Sequence, residues 1–203
     1  MLMTGSFALD DESLTTTLAR LLPDGGFDTA FRPDATPSFL GQPAVLGLPG
    51  GGVISGPHLV DHEGARAAML VRWQPDGQRD LSFGVTVARS PVETVISAFA
   101  LQADGKILVA GDFSFIGGRP RSYLARLHAD GTVDESFAPV VENLVTSIVL
   151  QADGKIILTG RFRGCAGREQ RGVARLLPDG TDDPTFEASL DDYGMGITLQ
   201  KDG

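Results

Sequence analysis

The sequence is short of several features that common protein classes need. It has a single cysteine, Cys165, so it holds neither an internal disulfide nor the paired cysteines of a structural zinc site. Its apolar runs cover only a handful of residues, whereas a membrane-spanning helix needs about 20, so we expect no membrane insertion. The opening Met-Leu-Met-Thr-Gly lacks the basic and apolar regions of a signal peptide.

Positive charge is also scarce. The 203 residues hold 17 Lys and Arg against 26 Asp and Glu, which gives a net charge of −9. Binding to nucleic-acid phosphates needs a basic surface, so we expect no nucleic-acid partner. The chain has 26 glycines and 12 prolines and is nevertheless 42% apolar. This combination predicts an ordered chain of many short elements joined by tight turns.

One motif occurs four times. Each copy has an arginine, an Asp-Gly pair, a second aspartate and a phenylalanine at constant spacing. The arginines are Arg20, Arg72, Arg126 and Arg175, the aspartates Asp28, Asp80, Asp134 and Asp183, and the phenylalanines Phe31, Phe83, Phe137 and Phe186. Self-similarity at a fixed period is the signature of a repeat architecture.

A second motif alternates with the first. Leu-Gln-Ala-Asp-Gly-Lys leads into an apolar run at 101–113 and again at 150–162, and a degenerate copy lies at 48–56. Another copy is split, with its second half at 1–7 and its first half at 199–203. The landmark glycines of these runs, about 50 residues apart, are Gly5, Gly56, Gly111 and Gly160. The repeats are therefore approximately 1–47, 48–94, 95–143 and 144–192.

Each repeat reads as two hairpins. In the third, Ile96–Gln102 and Ile107–Phe113 flank an Asp-Gly turn, and Tyr123–His128 precedes a short fourth strand near 136–139. Two hairpins per period of about 50 residues predict a four-stranded propeller blade. We therefore expect an all-β fold, with residues 1–203 forming one β-propeller-like domain. An open β repeat array is one alternative, and a parallel β-helix ranks second to the propeller because its coils are usually shorter.

The split motif predicts how the ends meet. Residues 193–203 would complete the hairpin begun at 1–7 and close a four-bladed ring without a bare edge. A homodimer of two chains joined end to end in an eight-bladed ring and a segment of a longer array are equally open alternatives.

The two motifs together resemble the delta-60 repeat family of bacterial tandem-repeat proteins. The resemblance is sharp at 95–139 and 144–188 and weaker at 1–94, where Gly50-Gly51-Gly52 replaces Asp-Gly-Lys. It implies a β-propeller-like architecture and a bacterial protein that is secreted or on the cell surface. It implies no catalytic residues and no cofactor.

The repeated arginines and aspartates favour a structural interpretation. An arginine–carboxylate pair in every blade explains groups that recur, whereas an active site is usually single. A ring of ion-binding sites is the alternative for these pairs. The Asp-Gly turns also suggest calcium, but they lack the further acidic ligands of an EF-hand loop. We therefore expect no metal at these turns.

Two other residue groups have the composition of chemical sites. His58 and His62 have the spacing of a zinc-binding helix, but they lie in an expected loop, 57–66, within a strand-rich repeat. Cys165 follows Arg161 and Arg163 and precedes Arg168, and nearby cations can lower a thiol pKa and make the sulfur reactive. The sequence places no histidine base beside it, so neither group predicts catalysis.

If the chain has a binding site, it should lie where the copies differ, although a solvated loop face is the simpler interpretation of these segments. The variable loops are 8–16, 57–66, 114–121 and 163–171, together with 32–46, 84–94, 138–144 and 187–195. Their candidate ligand-binding residues are Asp10, Asp11, Glu12, Arg119, Arg121, Arg168, Arg171, Asp191, Asp192 and Tyr193. Acidic side chains, arginines and an aromatic ring suit a protein or a glycan.

These observations lead to one functional expectation and two alternatives. We expect a non-enzymatic repeat module that serves as a structural or protein-interaction scaffold, because loops that vary on a rigid framework suit binding. A lectin-like or calcium-dependent propeller is one alternative, and a propeller hydrolase or lyase is the other.

Overall fold

The computed structural model describes residues 1–8, 15–33, 38–62, 65–89 and 94–200. Within these ranges every regular secondary-structure element is a β-strand. The chain divides into two compact units, Met1–Val87 and Ala88–Gly203. No helix in the described part is long and apolar enough to cross a membrane.

The first unit contains six strands. They are β1 (Leu2–Ala8), β2 (Thr15–Arg20), β3 (Ser38–Gly47), β4 (Val53–His62), β5 (Ala65–Trp73) and β6 (Arg79–Ala88). β1 pairs with β2, while β3, β4, β5 and β6 pair in chain order, and every pairing is antiparallel. This meander follows from hairpin turns between successive strands.

The core of the first unit lies mainly on β4 and β5. Its buried members are Leu18, Phe31, Val53, Val60, Met69, Val71 and Trp73. Trp73 occupies the position of a leucine in the later repeats. It is completely buried, so its large apolar ring surface contributes to the core.

The second unit contains ten strands. They are β7 (Val95–Leu101), β8 (Ile107–Asp112), β9 (Phe115–Ile116), β10 (Arg119–Pro120), β11 (Leu124–Leu127), β12 (Val145–Leu150), β13 (Ile156–Gly160), β14 (Gly164–Cys165), β15 (Arg168–Glu169) and β16 (Val173–Leu176). β8 lies between β7 and β11, and β13 lies between β12 and β16, in two antiparallel sheets of the same design. β9 and β10 form a small hairpin, as do β14 and β15.

The central strands of these two sheets are the most apolar. Residues 107–111 on β8 and the whole of β13 are buried, which explains their nearly continuous apolar sequence. One core joins the two sheets and includes Leu108, Leu124, Phe137, Ile148, Leu158 and Phe162. The third and fourth repeats therefore stack on each other, as blades must in order to bury their faces.

The hairpin turns follow the sequence prediction. Gly105 and Gly154 adopt φ values of 83° and 84°, a left-handed conformation that glycine adopts without steric cost. The amide of each donates to the carbonyl three residues earlier, on Gln102 and Gln151, at 2.9 Å. The all-β prediction is thus confirmed in these repeats at the level of individual turns.

The prediction of a loop at 57–66 is wrong. β4 continues to His62 and β5 begins at Ala65, so most of this segment is a long hairpin. The pairing of β4 with β5 is irregular between Ser55 and His58, and Gly56 and Pro57 lie in that irregularity. A proline at a bulge interrupts no ladder hydrogen bond, so the Gly-Pro pair does not end the strand.

Two more loops are shorter than expected. β3 occupies most of 32–46, and β6 extends into 84–94 as far as Ala88. Conversely, the short fourth strand expected near 136–139 is a turn. The Asp134 side chain accepts the Ser136 amide at 3.0 Å and its carbonyl accepts the Phe137 amide at 3.2 Å, so these amides are withdrawn from strand pairing.

The expected closure of the ends stays a prediction. β1 pairs with β2, residues 194–200 lie outside the strands, and residues 201–203 are outside the described part. The single-domain boundary 1–203 and the approximate repeat limits also stay predictions.

Candidate functional site

The repeated arginine and aspartate form an ion pair in every repeat. The arginine Nε to aspartate Oδ2 distance is 2.7 Å for Arg20–Asp28, 2.9 Å for Arg72–Asp80 and Arg126–Asp134, and 2.8 Å for Arg175–Asp183. Each guanidinium carbon also lies 4.3–4.8 Å from the ring centroid of the phenylalanine of its own repeat. We call this unit of arginine, aspartate and phenylalanine the clamp.

The second oxygen of each clamp aspartate fixes a turn. Oδ1 of Asp134 accepts the Ser136 amide at 3.0 Å and the Ser136 hydroxyl at 2.6 Å, and Asp183 binds Thr185 in the same way. Burial by itself raises the pKa of Asp134, but hydrogen bonds from Ser136, Lys106 and Arg126 outweigh it and hold that pKa far below its usual range. The carboxylates of the clamps are therefore charged near neutral pH.

Two of the clamp arginines, Arg20 and Arg126, also reach beyond their own repeats. Nη1 of Arg126 donates to the Pro178 carbonyl at 2.6 Å, and Nη2 of Arg20 donates to the Pro75 carbonyl at 2.9 Å. Each of these prolines precedes the Asp-Gly turn of the following repeat. In these two clamps, donors that an anion site would need are thus already used to join one repeat to the next.

A buried polar chain explains one of the two histidines. Nε1 of Trp73 donates to Ser55 Oγ at 2.7 Å, and Ser55 Oγ lies 2.7 Å from Nε2 of His58. Because the indole can only donate, the Ser55 hydroxyl is free to donate its proton to His58. Ser55 and His58 are both fully buried. This serine–histidine pair therefore stabilises the interior, where no substrate reaches it.

The metal interpretation of His58 gains no support. His58 lies on β4, a strand, and the side chain of His62 is outside the described part. Among the described residues there is no group of three or more His, Cys, Asp or Glu side chains that could hold a metal ion. In the Asp-Gly turns, Oδ1 of Asp130 and of Asp179 instead accepts the amide and hydroxyl of the following threonine.

The idea of an activated thiol at Cys165 is wrong. The side chain is 1% exposed, and burial raises its pKa to about 12, with a further contribution from the Asp182 carboxylate. A thiol of this kind is neutral near pH 7 and therefore a poor nucleophile. The neighbouring arginines do not lower its pKa, because Cys165 points into the core that includes Phe162 and Val141.

An open cleft of about 890 Å³ lies in the second unit. Three segments line it: residues 136–142 between the repeats, the β14–β15 hairpin at 163–169, and the Asp-Gly turn at 179–182. The first two segments are hydrogen-bonded to each other, since the Ala166 amide donates to the Val140 carbonyl at 2.8 Å and the Glu142 amide donates to the Gly164 carbonyl at 3.2 Å. Two of the three segments fall within the variable loops.

Gly164 lines this cleft without a side chain. Its counterpart in the third repeat is Phe115, a bulky side chain that is 47% exposed. A Cβ built on Gly164 would lie 2.4 Å from the carboxyl carbon of Glu142, so this carboxylate fills the space that a side chain at 164 would take. The two repeats therefore differ in shape at equivalent positions.

The seven described candidate residues do not form one site. Arg168 lines the cleft, where Nη1 donates to the Phe186 carbonyl at 3.2 Å and lies 3.5 Å from Oδ2 of Asp182. Arg119 and Arg121 instead hold opposite oxygens of Glu135, each at 2.8 Å.

The rest of the candidate set lies elsewhere. The Tyr193 ring is 51% exposed, with Arg161 at 5.7 Å from its centroid. Arg171, Asp191 and Asp192 are exposed and outside the cleft lining. The candidates Asp10, Asp11 and Glu12 are outside the described part.

Sequence reasoning missed several residues of the cleft. Val140, Glu142 and Glu169 line it but were not selected, because they differ from repeat to repeat without forming a motif. A signal was nevertheless available in the alignment of the copies: a glycine, Gly164, replaces the phenylalanine Phe115. Where one copy has glycine and another has a large side chain, the two repeats are expected to differ in surface shape.

Comparison with known proteins supports the fold. Residues 102–137 and 151–186 match the family model of a β-propeller domain of unknown function (DUF5122). These segments are the bodies of the third and fourth repeats, so the chain resembles β-propeller repeat proteins and its all-β repeats have the propeller fold. No curated protein matches the chain significantly.

One solved structure is similar over 88% of this chain and 58% of its own length, with 18% sequence identity and a TM-score of 0.48. That protein is provisionally described as a gluconolactonase. This chain spans little more than half of its length, and a likeness at this level says nothing about activity.

Proposed function

We propose that the chain is a non-enzymatic β-propeller repeat module that binds a partner protein through the cleft of its second unit. The observation that supports this most is the separation of roles in the fourth repeat. Its repeated charges, Arg175 and Asp183, are used in the clamp, whereas its variable hairpin opens a cleft of about 890 Å³. Loops that vary on a rigid framework are the usual place for binding residues.

The ionisable groups support binding more than catalysis. A general acid or base works best when its pKa lies near the working pH. Hydrogen bonds from Thr185, and also from Lys155 and Arg175, lower the pKa of Asp183, and burial raises that of Cys165. Both pKa values are thus shifted away from pH 7, one down and the other up, so neither group suits general acid–base catalysis at that pH.

A protein suits the cleft better than a glycan. None of the residues that line the cleft in the described structure is aromatic. Small-molecule pockets usually offer aromatic surface together with a few convergent polar groups. The resemblance to bacterial repeat proteins supports the proposal that this binding role belongs to a secreted or cell-surface protein.

A single substitution can test whether the cleft is used. Gly164→Phe introduces the residue of the third repeat and obstructs the cleft. We expect the variant to fold, because the added side chain meets the movable end of Glu142. Gly196→Phe is the matched control, since no atom lies within 4 Å of a Cβ built there.

The measurement is chemical cross-linking in an extract of the source cells, followed by mass spectrometry. Proteins captured by the native chain and by Gly196→Phe, but lost with Gly164→Phe, would support the proposal. Equal capture by all three chains would contradict it. An increase in melting temperature with calcium or with simple sugars would favour the lectin-like alternative, because a ligand stabilises the state that it binds.

A further inference from the structure

The charges that line the cleft are mostly negative. Two arginines, Arg163 and Arg168, face four acidic residues, which are Glu142, Glu169, Asp179 and Asp182. The whole chain carries a net charge of −9, so the long-range field has the same sign as the cleft. A field of this kind attracts basic partners and repels acidic ones, including a second copy of the chain.

One of the two arginines, Arg168, already has partners. Nη1 of Arg168 lies 3.5 Å from Oδ2 of Asp182 and donates to the Phe186 carbonyl at 3.2 Å. Arg168 therefore offsets the charge of Asp182. The Asp179 carboxylate stays charged, because hydrogen bonds from Thr181 lower its pKa.

Two carboxylates of the cleft have no such partner. Within the described part of the chain, neither Glu142 nor Glu169 takes part in an ion pair or a side-chain hydrogen bond. Both residues are exposed, and the Glu142 carboxylate lies against Gly164, where the lack of a side chain leaves it accessible. Two unpaired carboxylates in one cleft suit the ammonium or guanidinium groups of a ligand.

A small apolar surface lies in the same cleft as these carboxylates. The Val140 side chain is 71% exposed, although its backbone carbonyl is fixed by the Ala166 amide at 2.8 Å. Pro139 and Ala138 continue the apolar surface along the same wall of the cleft. A ligand that alternates apolar and basic side chains would cover Val140 and reach Glu142 together.

We propose that the cleft binds a basic segment of the partner protein, with its Lys or Arg side chains on Glu142 and Glu169 and an apolar side chain on Val140. This inference rests on the proposed function, since it names the chemistry of the partner that the same cleft binds.

The test uses the full chain and two synthetic peptides. One peptide alternates lysine and leucine, and the other has glutamate in place of every lysine. Binding is followed by backbone amide NMR, which separates the cleft from the rest of the acidic surface. We expect the lysine peptide to shift the amides of 138–142 and 163–169, and the glutamate peptide to shift neither segment.

Charge-matched variants give the quantitative result. The double variant Glu142→Gln, Glu169→Gln removes both unpaired carboxylates. Because an exposed ion pair contributes about 0.2–1 kcal/mol, losing two should weaken lysine-peptide binding roughly 2- to 30-fold. The control double variant Glu187→Gln, Asp104→Asn removes two exposed carboxylates outside the lining and should stay close to the native affinity.

Three results would overturn the inference. They are binding of the glutamate peptide at the cleft, equal weakening in both double variants, and no cleft shifts with the lysine peptide. If any of these occurs while partner capture still depends on Gly164, the cleft binds a partner of other chemistry and the proposed function stands. If Gly164→Phe has no effect on capture, the proposed function itself fails.

Discussion

Asp134→Asn is the sharpest test of the clamp. Asparagine keeps Oδ1, which accepts the amide and hydroxyl of Ser136, so the turn is retained. Its amide nitrogen takes the place of Oδ2, which lies 2.9 Å from Nε of Arg126 and 3.2 Å from Nζ of Lys106. This nitrogen only donates hydrogen bonds, so it cannot accept from either cation. The substitution thus removes the ion pair and leaves the rest of the clamp in place.

The expected cost follows from burial. The side chains of Arg126 and Asp134 are 7% and 6% exposed, and removing one partner of a buried pair usually costs 3–5 kcal/mol, an order-of-magnitude range. Arg126 keeps the Phe137 ring at 4.3 Å and the Pro178 carbonyl at 2.6 Å, so the lower end applies. We expect a loss of about 3 kcal/mol, which makes amide exchange in β11 more than about a hundredfold faster.

The second repeat provides a matched control. In Arg72–Asp80 the same pair is 23% and 22% exposed, and Asp80→Asn should cost about 1 kcal/mol or less. Hydrogen exchange resolved by strand measures β11 and β5 separately, so each variant is read in its own unit. Equal losses in the two variants would refute the argument, because they would show that the charge contributes the same whether it is buried or exposed.

Two further predictions concern titration. Because the pKa values of Asp134 and Asp183 are lowered in the folded chain, their stabilisation is complete above the unfolded value of about 3.9 and is lost as the pH falls below it. The urea midpoint should therefore be flat at neutral pH and fall below about pH 4, less steeply in Asp134→Asn; an equal slope would contradict this. Cys165, with a pKa of about 12, should resist iodoacetamide in the native chain and react once urea unfolds it, and rapid labelling of the native chain would show that its burial is wrong.

The repeated features of the fold could be predicted from the sequence. A left-handed glycine such as Gly105 marks its turn directly, and continuous apolar runs such as that of β13 mark buried central strands. The pairing of Arg126 with Asp134 also follows from constant spacing, since a charge that recurs in every copy needs a partner that recurs with it.

The failures have two physical causes. At Gly56-Pro57 a strand continues through residues that usually end one, because the irregularity there needs no ladder hydrogen bond. Near 136–139 the expected strand is replaced by a turn, because the Asp134 side chain competes for the amide of Ser136. Both depend on local hydrogen bonds that hydrophobic patterning does not record.

The cleft could not be read from any motif, because it depends on an absence. The side chain of Phe115 has no equivalent at Gly164, and the freed space holds the carboxylate of Glu142.

Clamp and cleft separate the residues that hold the repeats together from those that differ between them. In the second unit the clamp arginine Arg126 is tied to the next repeat through Pro178, so a change there disturbs two repeats at once. The hairpin at 163–169 is joined to residues 136–142 by two backbone hydrogen bonds, and such bonds are compatible with almost any side chain. Substitutions at Glu142, Gly164 or Glu169 can therefore alter the shape and charge of the cleft at little cost in stability, which is what a recognition surface on a repeat scaffold requires.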